Sequence, residues 1–216
     1  MAITFLLETE KLNDDDAFNR YYSCMSIYRK EKIDRLRQRK DKNLSLAVGI
    51  IIDHYLQSIG LCEQKMNYGA TEGGKPFFTE YRHIYFNASH SDNVAVCSFS
   101  DSEIGCDIQH IEKARENVAK RFFTPQEYNY IFDSNEKEKN TTDERFARIW
   151  AIKEAYLKLL GTGLSCGLAS FDVCIEKACA RIKDDIYIKE YCFRDYRIAI
   201  CSGYKTSDDE LKILVL

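Results

Sequence analysis

Hydrophobic and polar positions follow two rhythms along this chain, and the rhythm changes in the same order twice. The run AITFLLE reads as a strand, and two helical stretches follow it, Asp15 to about Arg39 and Asn43 to Gly60. KPFF, HIYFNAS and NVAVCSFS then carry β-branched or aromatic residues broken by Gly, Asn, Asp and Ser, which marks strands. From Glu103 the order recurs. The strand EIGCDIQHI leads into a helical stretch, ARENVAKRFFTPQEYNYIF, and then into a long helix containing RIWAIKEAYLKLLG. SFDVCIE, IYIKEYCF, RIAICSG and LKILVL return to strand periodicity.

The repetition is of element order, β-α-α-β-β, and not of residues. It predicts an α+β fold of two similar α/β halves related by pseudo-twofold symmetry. The seam falls in the polar turn Ser100-Asp101-Ser102, so residues 1–101 make one half and 102–216 the other. With two prolines, no Pro/Gly/Ser linker and one charged insertion, DSNEKEKNTTDE, the halves are expected to pack against each other. A cleft between two such rigid surfaces is a common ligand site.

Two segments place polar groups where the pattern is otherwise apolar. In the strand Glu103 to Ile111, alternation sends Ile104, Cys106 and Ile108 to one face and Gly105, Asp107 and Gln109 to the other. That face is either solvated, as in any half-exposed strand, or built for a partner; a strand glycine often marks the close approach of a ligand or another backbone. In the long helix, Thr141 and Glu144 have the spacing of a capping box, and Gly161 fits the C-terminal end. Between them Glu154 and Lys158 stand four apart on a helix apolar on most sides. They form either an ordinary i,i+4 pair or groups that face a wet cleft, because an unpartnered buried charge costs several kcal/mol. If Glu154 points at Asp107, two carboxylates converge. Oxygen ligands of that kind select a hard cation, Mg²⁺ or Mn²⁺, as phosphoryl chemistry commonly does.

Composition narrows the classes. The 216 residues are 45% hydrophobic and 30% charged, enough for a real core under a wet surface. A net charge of −3 argues against global attraction to nucleic acid or a membrane surface, and no segment approaches the ~18 apolar residues a membrane span needs. Nine scattered cysteines, among them Cys97, Cys166 and Cys201, form no C-x-x-C pair and read as small hydrophobes in a reducing, cytoplasmic setting.

Five motifs in order, GGKPFF (73–78), FNASHS (86–91), IGCDIQHI (104–111), KRFFTPQEY (120–128) and WAIKEAYLKLLGTGLS (150–165), resemble those of Sfp-type 4′-phosphopantetheinyl transferases. That family's signature is G-x-D followed by W-x-x-K-E-A/S. The resemblance implies two similar α/β halves with coenzyme A in the cleft. It implies Mg²⁺-dependent transfer of 4′-phosphopantetheine to a serine of an acyl or peptidyl carrier protein, with release of adenosine 3′,5′-bisphosphate. Asp107 and Glu154 would hold the metal, with Gln109 at a position where many members carry a third acid. Glu154 would also take the serine proton, Lys158 would reach the phosphates, and Lys153 would assist from the neighbouring side. Ser89 and His90, with Arg29 and Lys32, would meet the 3′-phosphate end of coenzyme A, Arg35 would add to the field, and Lys75 would approach the nucleotide. The further Arg that the family often carries is absent near Leu44. The carrier would dock by RFFTPQEY, with Phe122, Phe123 and Tyr128 either as contacts or as core. One chain would suffice as a monomer. The competing reading is a nucleic-acid-binding module built on the basic segment 28–42.

Overall fold

Each half of the molecule is a strand, a long helix and two further strands. The computed structural model describes residues 2–133, 140–162, 167–176, 179–182, 185–203 and 211–216; positions 134–139 of the charged insertion, Cys166 and residues 163–165 of the last motif lie outside them. In the first half β1 (Ala2–Glu8) is followed by α1 (Asp15–Ser23), α2 (Ile27–Asp34) and α3 (Arg39–Ser58), then a small hairpin of β2 (Tyr68–Ala70) and β3 (Pro76–Phe78), then β4 (Tyr85–Ser91) and β5 (Val94–Ser100). The second half runs through β6 (Ile104–His110), α4 (Glu116–Phe122), α5 (Pro125–Phe132) and α6 (Thr142–Leu160). It ends with the short pair β7 (Cys174–Glu176) and β8 (Cys179–Arg181), then β9 (Tyr187–Phe193), β10 (Tyr196–Ser202) and β11 (Leu211–Leu214).

The pseudo-symmetry is numerical. β6, β9 and β10 begin 102 residues after β1, β4 and β5 (2 to 104, 85 to 187, 94 to 196), and α6 ends 102 residues after α3 (58 to 160). β5 lies antiparallel between β1 and β4, and β10 lies antiparallel between β6 and β9. β11 departs from the repeat: it crosses to the first sheet and pairs parallel with β1, giving the order β11-β1-β5-β4.

The first helical stretch, expected as one run to Arg39, is two helices, and α3 begins before the expected Asn43. No Pro or Gly interrupts that stretch; the break is made by capping. Asp14 accepts from Ala17 N at the start of α1, and Ser26 accepts from Arg29 N at the start of α2. The α6 capping box is present in both directions, and Gly161 closes that helix at φ +67°, where an L side chain would be strained. None of the described helices is long and apolar enough to cross a membrane.

One core fills the space between α3 and the first sheet, around Leu46, Ile51, Phe86 and Phe99, and a second lies between α6 and the second sheet, around Ile149, Ile152 and Ala199. A third packs Leu6 and Val96 against Ile104, Cys106 and Ile108, joining the sheets. The alternation expected in β6 therefore holds: its odd residues turn toward α6. Cys97 and Cys201 are buried, and each lies against a carbonyl of its own half's long helix, Val48 and Ile152.

Candidate active site

The site grows out of the seam where β4, the last strand of one sheet, runs beside β6, the first of the other. Side chains of alternate β4 residues hold the seam. Asn87 Oδ1 accepts from Cys106 N at 2.9 Å, and Ser91 Oγ accepts from His110 N at 2.9 Å. Between them Ser89 Oγ donates to Asp107 Oδ1 at 2.6 Å. The NASHS motif is thus a row of staples along β4.

Gly105 brings the helix onto this strand. A Cβ there would stand 2.0 Å from Ala155 O and 2.3 Å from Leu159 N, so only glycine lets the α6 backbone lie on β6. The expectation of a close approach is met by backbone. Lys158, one turn beyond Glu154, then reaches Asp107 Oδ1 at 2.5 Å and Ser89 Oγ at 2.8 Å, while Gln109 Nε2 donates to Asp107 Oδ2 at 2.6 Å. Asp107 is buried and receives three donors. Burial by itself would depress the Lys158 ammonium, but Asp107 and then Cys106 outweigh it and hold its pKa above the ordinary value. Glu154 is half-buried and has no hydrogen-bond partner among the described residues. Burial first, and the Asp107 charge second, raise its carboxyl pKa, with Lys158 opposing.

A cleft of about 370 Å³ opens from this cluster toward the first half, lined by Arg29, Lys32, Ser45, Ser89, His90 and Lys158 among others. Its cations crowd one another. Burial and then Arg29 lower the Lys32 pKa; burial, Lys158 and Lys32 lower that of His90, against Asp41 and Asp107. Arg29 Nε and Ser45 Oγ are buried without a hydrogen-bond partner among the described residues. Two orphaned donors among cations fit a ligand rich in anionic oxygens. Ser45 was not singled out from sequence; a lone hydroxyl within the apolar run NLSLAVGIII was the available signal.

Of the sequence-predicted residues, Arg29, Lys32, Ser89, His90, Asp107, Gln109, Glu154 and Lys158 gather along this seam and cleft. Lys75 stands apart. It lines a neighbouring cavity of about 310 Å³ with Arg82, Tyr85 and Phe86, and its ammonium pairs with Glu103 at 2.5 Å. Lys153 is not brought to the site, which corrects the expectation that it assists at the phosphates. Its side chain is fully buried on another face of α6, with Nζ 2.8 Å from Glu127 Oε1 and 2.6 Å from the carbonyls of Leu168 and Phe171. Arg35 is exposed and pairs with Glu31.

Segment 28–42 is no continuous basic face: Arg29 and Lys32 turn into the cleft, Arg39 is bound to Asp15 and the Leu12 carbonyl, and Lys40 to Asp92. The nucleic-acid reading finds no support there. In RFFTPQEY, Phe123 is core, packed on Phe146 and Trp150, and Thr124 and Glu127 form a capping box for α5; Phe122 and Tyr128 stay half-buried.

The residues fit a hard divalent ion. Asp107 and Glu154 are close enough for one charge to raise the other's pKa, and both offer oxygen, as does the Gln109 amide. Among the described residues no group of three or more His, Cys, Asp or Glu converges, so the chain contributes two acids at most here.

The family model of the 4′-phosphopantetheinyl transferase superfamily matches residues 103–201, from the start of β6 into β10. A 4′-phosphopantetheinyl transferase of Bacillus subtilis is 29% identical over 90% of this chain and 89% of its own length. The 4′-phosphopantetheinyl transferase gsp of Aneurinibacillus migulanus is 30% identical over 89% of this chain and 82% of its own. Among solved structures, a holo-(acyl-carrier-protein) synthase from Bacillus anthracis in complex with CoA (3′,5′-ADP) aligns with 46% of this chain and 92% of its own, at 22% identity and a TM-score of 0.38.

Proposed function

Because this chain belongs to the Sfp-type 4′-phosphopantetheinyl transferase family, we propose that it moves 4′-phosphopantetheine from coenzyme A onto a serine of an acyl or peptidyl carrier protein. The serine oxygen bonds to the phosphorus that carries pantetheine, the diphosphate P–O bond breaks, and adenosine 3′,5′-bisphosphate leaves. The observation that carries this reading is the cluster Ser89–Asp107–Lys158, with Glu154 beside it, at the end of a cleft holding two unsatisfied donors among cations.

Arg29, Lys32, Ser45 and His90 bind the 3′-phosphate end of the nucleotide, and Lys158 lies along the diphosphate. Mg²⁺, or Mn²⁺ in its place, held by Asp107, Glu154 and the Gln109 amide, supplies neutralisation of the charge that gathers on the leaving phosphate. Gln109 is neutral where a third acid is common, so the site binds the ion more weakly than a three-acid site. Glu154 accepts the serine proton. Lys153 holds α6 in place through Glu127, so that Glu154 and Lys158 share the face toward β6.

The acceptor serine enters one strand step further along the seam. There a small cavity is lined by Ser91, Gln109, His110 and Trp150, with Lys113 and Arg115 at hand for an acidic carrier. Intact-mass measurement of an apo carrier protein, incubated with this protein, coenzyme A and Mg²⁺, tests the whole reading. Gain of one phosphopantetheine, lost on chelation, is expected; an unchanged mass across carriers of the fatty-acid, polyketide and peptide types would sink it.

A further inference from the structure

Arg29 does not hang freely in the cleft. Its stem lies in a notch left by Gly49 on α3, where a Cβ would stand 3.1 Å from Arg29 Cγ and 2.5 Å from Met25 Sδ. Behind it sits Glu63, an acid with 0% exposure in a turn ahead of β2. The Glu63 carboxylate accepts from Ser26 N at 2.6 Å, from Ser26 Oγ at 2.7 Å and from the Tyr68 hydroxyl at 2.9 Å. Ser26 Oγ in turn accepts from Arg29 N at 3.2 Å, and Arg29 lies near enough to the Tyr68 hydroxyl for its charge to lower that hydroxyl's pKa against Glu63. The Tyr68 ring stacks on Tyr28 at 4.3 Å and lies against Phe78. The backbone of Arg29 is therefore tied to one buried carboxylate, and its side chain neighbours the phenol that donates to the same group.

The order of the groups matters. Had Glu63 met the guanidinium directly, the ion pair would have occupied the donor fork. A phenol stands between them instead. Burial and the Glu63 charge push the Tyr68 pKa far up, so the hydroxyl keeps its proton and stays a donor to Glu63. Arg29, with 3% exposure, keeps Nε without a partner in the wall of the cleft. A long side chain fixed before binding loses less rotamer freedom when an anion arrives.

We propose that Ser26, Glu63 and Tyr68 form a positioning relay that presents the Arg29 guanidinium to the 3′-phosphate, and so sets a preference for coenzyme A over its 3′-dephospho form. This rests on the reading above that the cleft takes the nucleotide end of coenzyme A. Glu63 and Tyr68 lie outside the motifs that reveal the rest of the site, and neither touches the ligand.

Calorimetric titration of the intact protein with coenzyme A and with dephospho-coenzyme A, without divalent metal, separates the possibilities. The unaltered protein is expected to bind coenzyme A the more tightly. Tyr68→Phe keeps the ring packing and removes the hydroxyl; it is expected to weaken coenzyme A about five- to tenfold, with dephospho-coenzyme A unchanged. Glu63→Gln should move the same ratio in the same direction, and serves as the test should the Phe variant lose its cooperative thermal transition. Equal weakening of both ligands, or a ratio like that of the unaltered protein, would overturn the relay. Failure of the unaltered protein to distinguish the two ligands would instead overturn the placement of the 3′-phosphate on which the relay depends.

Discussion

Glu154 carries a conflict that can be measured. Burial and Asp107 raise its pKa in the folded protein, so the folded state holds this proton to higher pH than the unfolded chain does. Stability is therefore lost as pH rises from the ordinary carboxylate value through the raised one, and a cation bound between the two carboxylates would offset that loss. Glu154→Gln is expected to raise the melting temperature of the metal-free protein, by about 2–4 °C for each kcal/mol recovered, while transfer falls about 10²–10⁴-fold. Equal melting temperatures with full activity would remove Glu154 from both roles. His90 gives the opposite sign. Burial, Lys158 and Lys32 keep its imidazole neutral to lower pH than usual in the ligand-free protein, and a phosphate arriving in the cleft reverses the local charge. Binding of coenzyme A then takes up a proton, and affinity grows as pH falls through the window between the raised bound value and the lowered free one. Titrations in two buffers of different ionisation enthalpy should show that uptake, and His90→Asn should abolish it; uptake surviving in the variant would assign the proton elsewhere. At this scale the sequence misled at Lys153. Glu154 and Lys158, four apart, share a helix face, whereas Lys153 is about 100° around from Glu154, and neighbours in sequence do not face the same way on a helix.

Between elements, the decisive contact is β6 against α6. Gly105→Ala would push a methyl into the Ala155 carbonyl and the Leu159 backbone, and neither can swing aside as a side-chain tip could. The expected cost is about 1–3 kcal/mol or more by chemical denaturation, with transfer falling on the order of 10²-fold as Glu154 and Lys158 move off register. Gly167→Ala, with nothing among the described residues within 4 Å of the added carbon, should stay within about 0.5 kcal/mol. An unaltered Gly105→Ala protein would mean that the helix is not seated by this strand. The strand–helix pairing was legible because both halves of it are local patterns: period-two alternation with a glycine in β6, and a capping box opening α6. The split of α1 from α2 was not, since one helix closes at Cys24 and Ser26 caps the next without any breaker residue between them. Ser45 was missed for another reason: a lone hydroxyl in an apolar run marks it, but its place in the cleft depends on α3 packing beside β4, a contact between distant parts of the chain.

Taken whole, the molecule uses one frame for two purposes. Counting 102 residues back along the matching strands and helix, Asp107 corresponds to Phe5, Gln109 to Leu7, Glu154 to Ile52 and Lys158 to Leu56. All four counterparts are buried in the first half's core, so the helix–strand face proposed to carry chemistry in one half is packed hydrocarbon in the other. The halves also complete each other. β11 comes from the end of the chain but pairs with β1, and Leu214 and Leu216 pack on the first core. A cut between Asp101 and Ser102 therefore leaves piece 1–101 with a bare β1 edge and an opened core, and piece 102–216 with Asp107, Glu154 and Lys158 but without Ser89, His90 and Arg29. Neither piece alone should transfer phosphopantetheine, and 1–101 should aggregate through its unpaired edge. Co-expressed, the two should reassemble, because the inter-sheet cluster of Leu6, Val96, Ile104 and Ile108 and the β1–β11 ladder both lie across the cut. Co-purification of the pieces with restored transfer is the expected result. Transfer by 102–216 alone would show that the cleft's first-half cations are dispensable, and would overturn the proposed division between a half that binds the nucleotide and a half that performs the reaction.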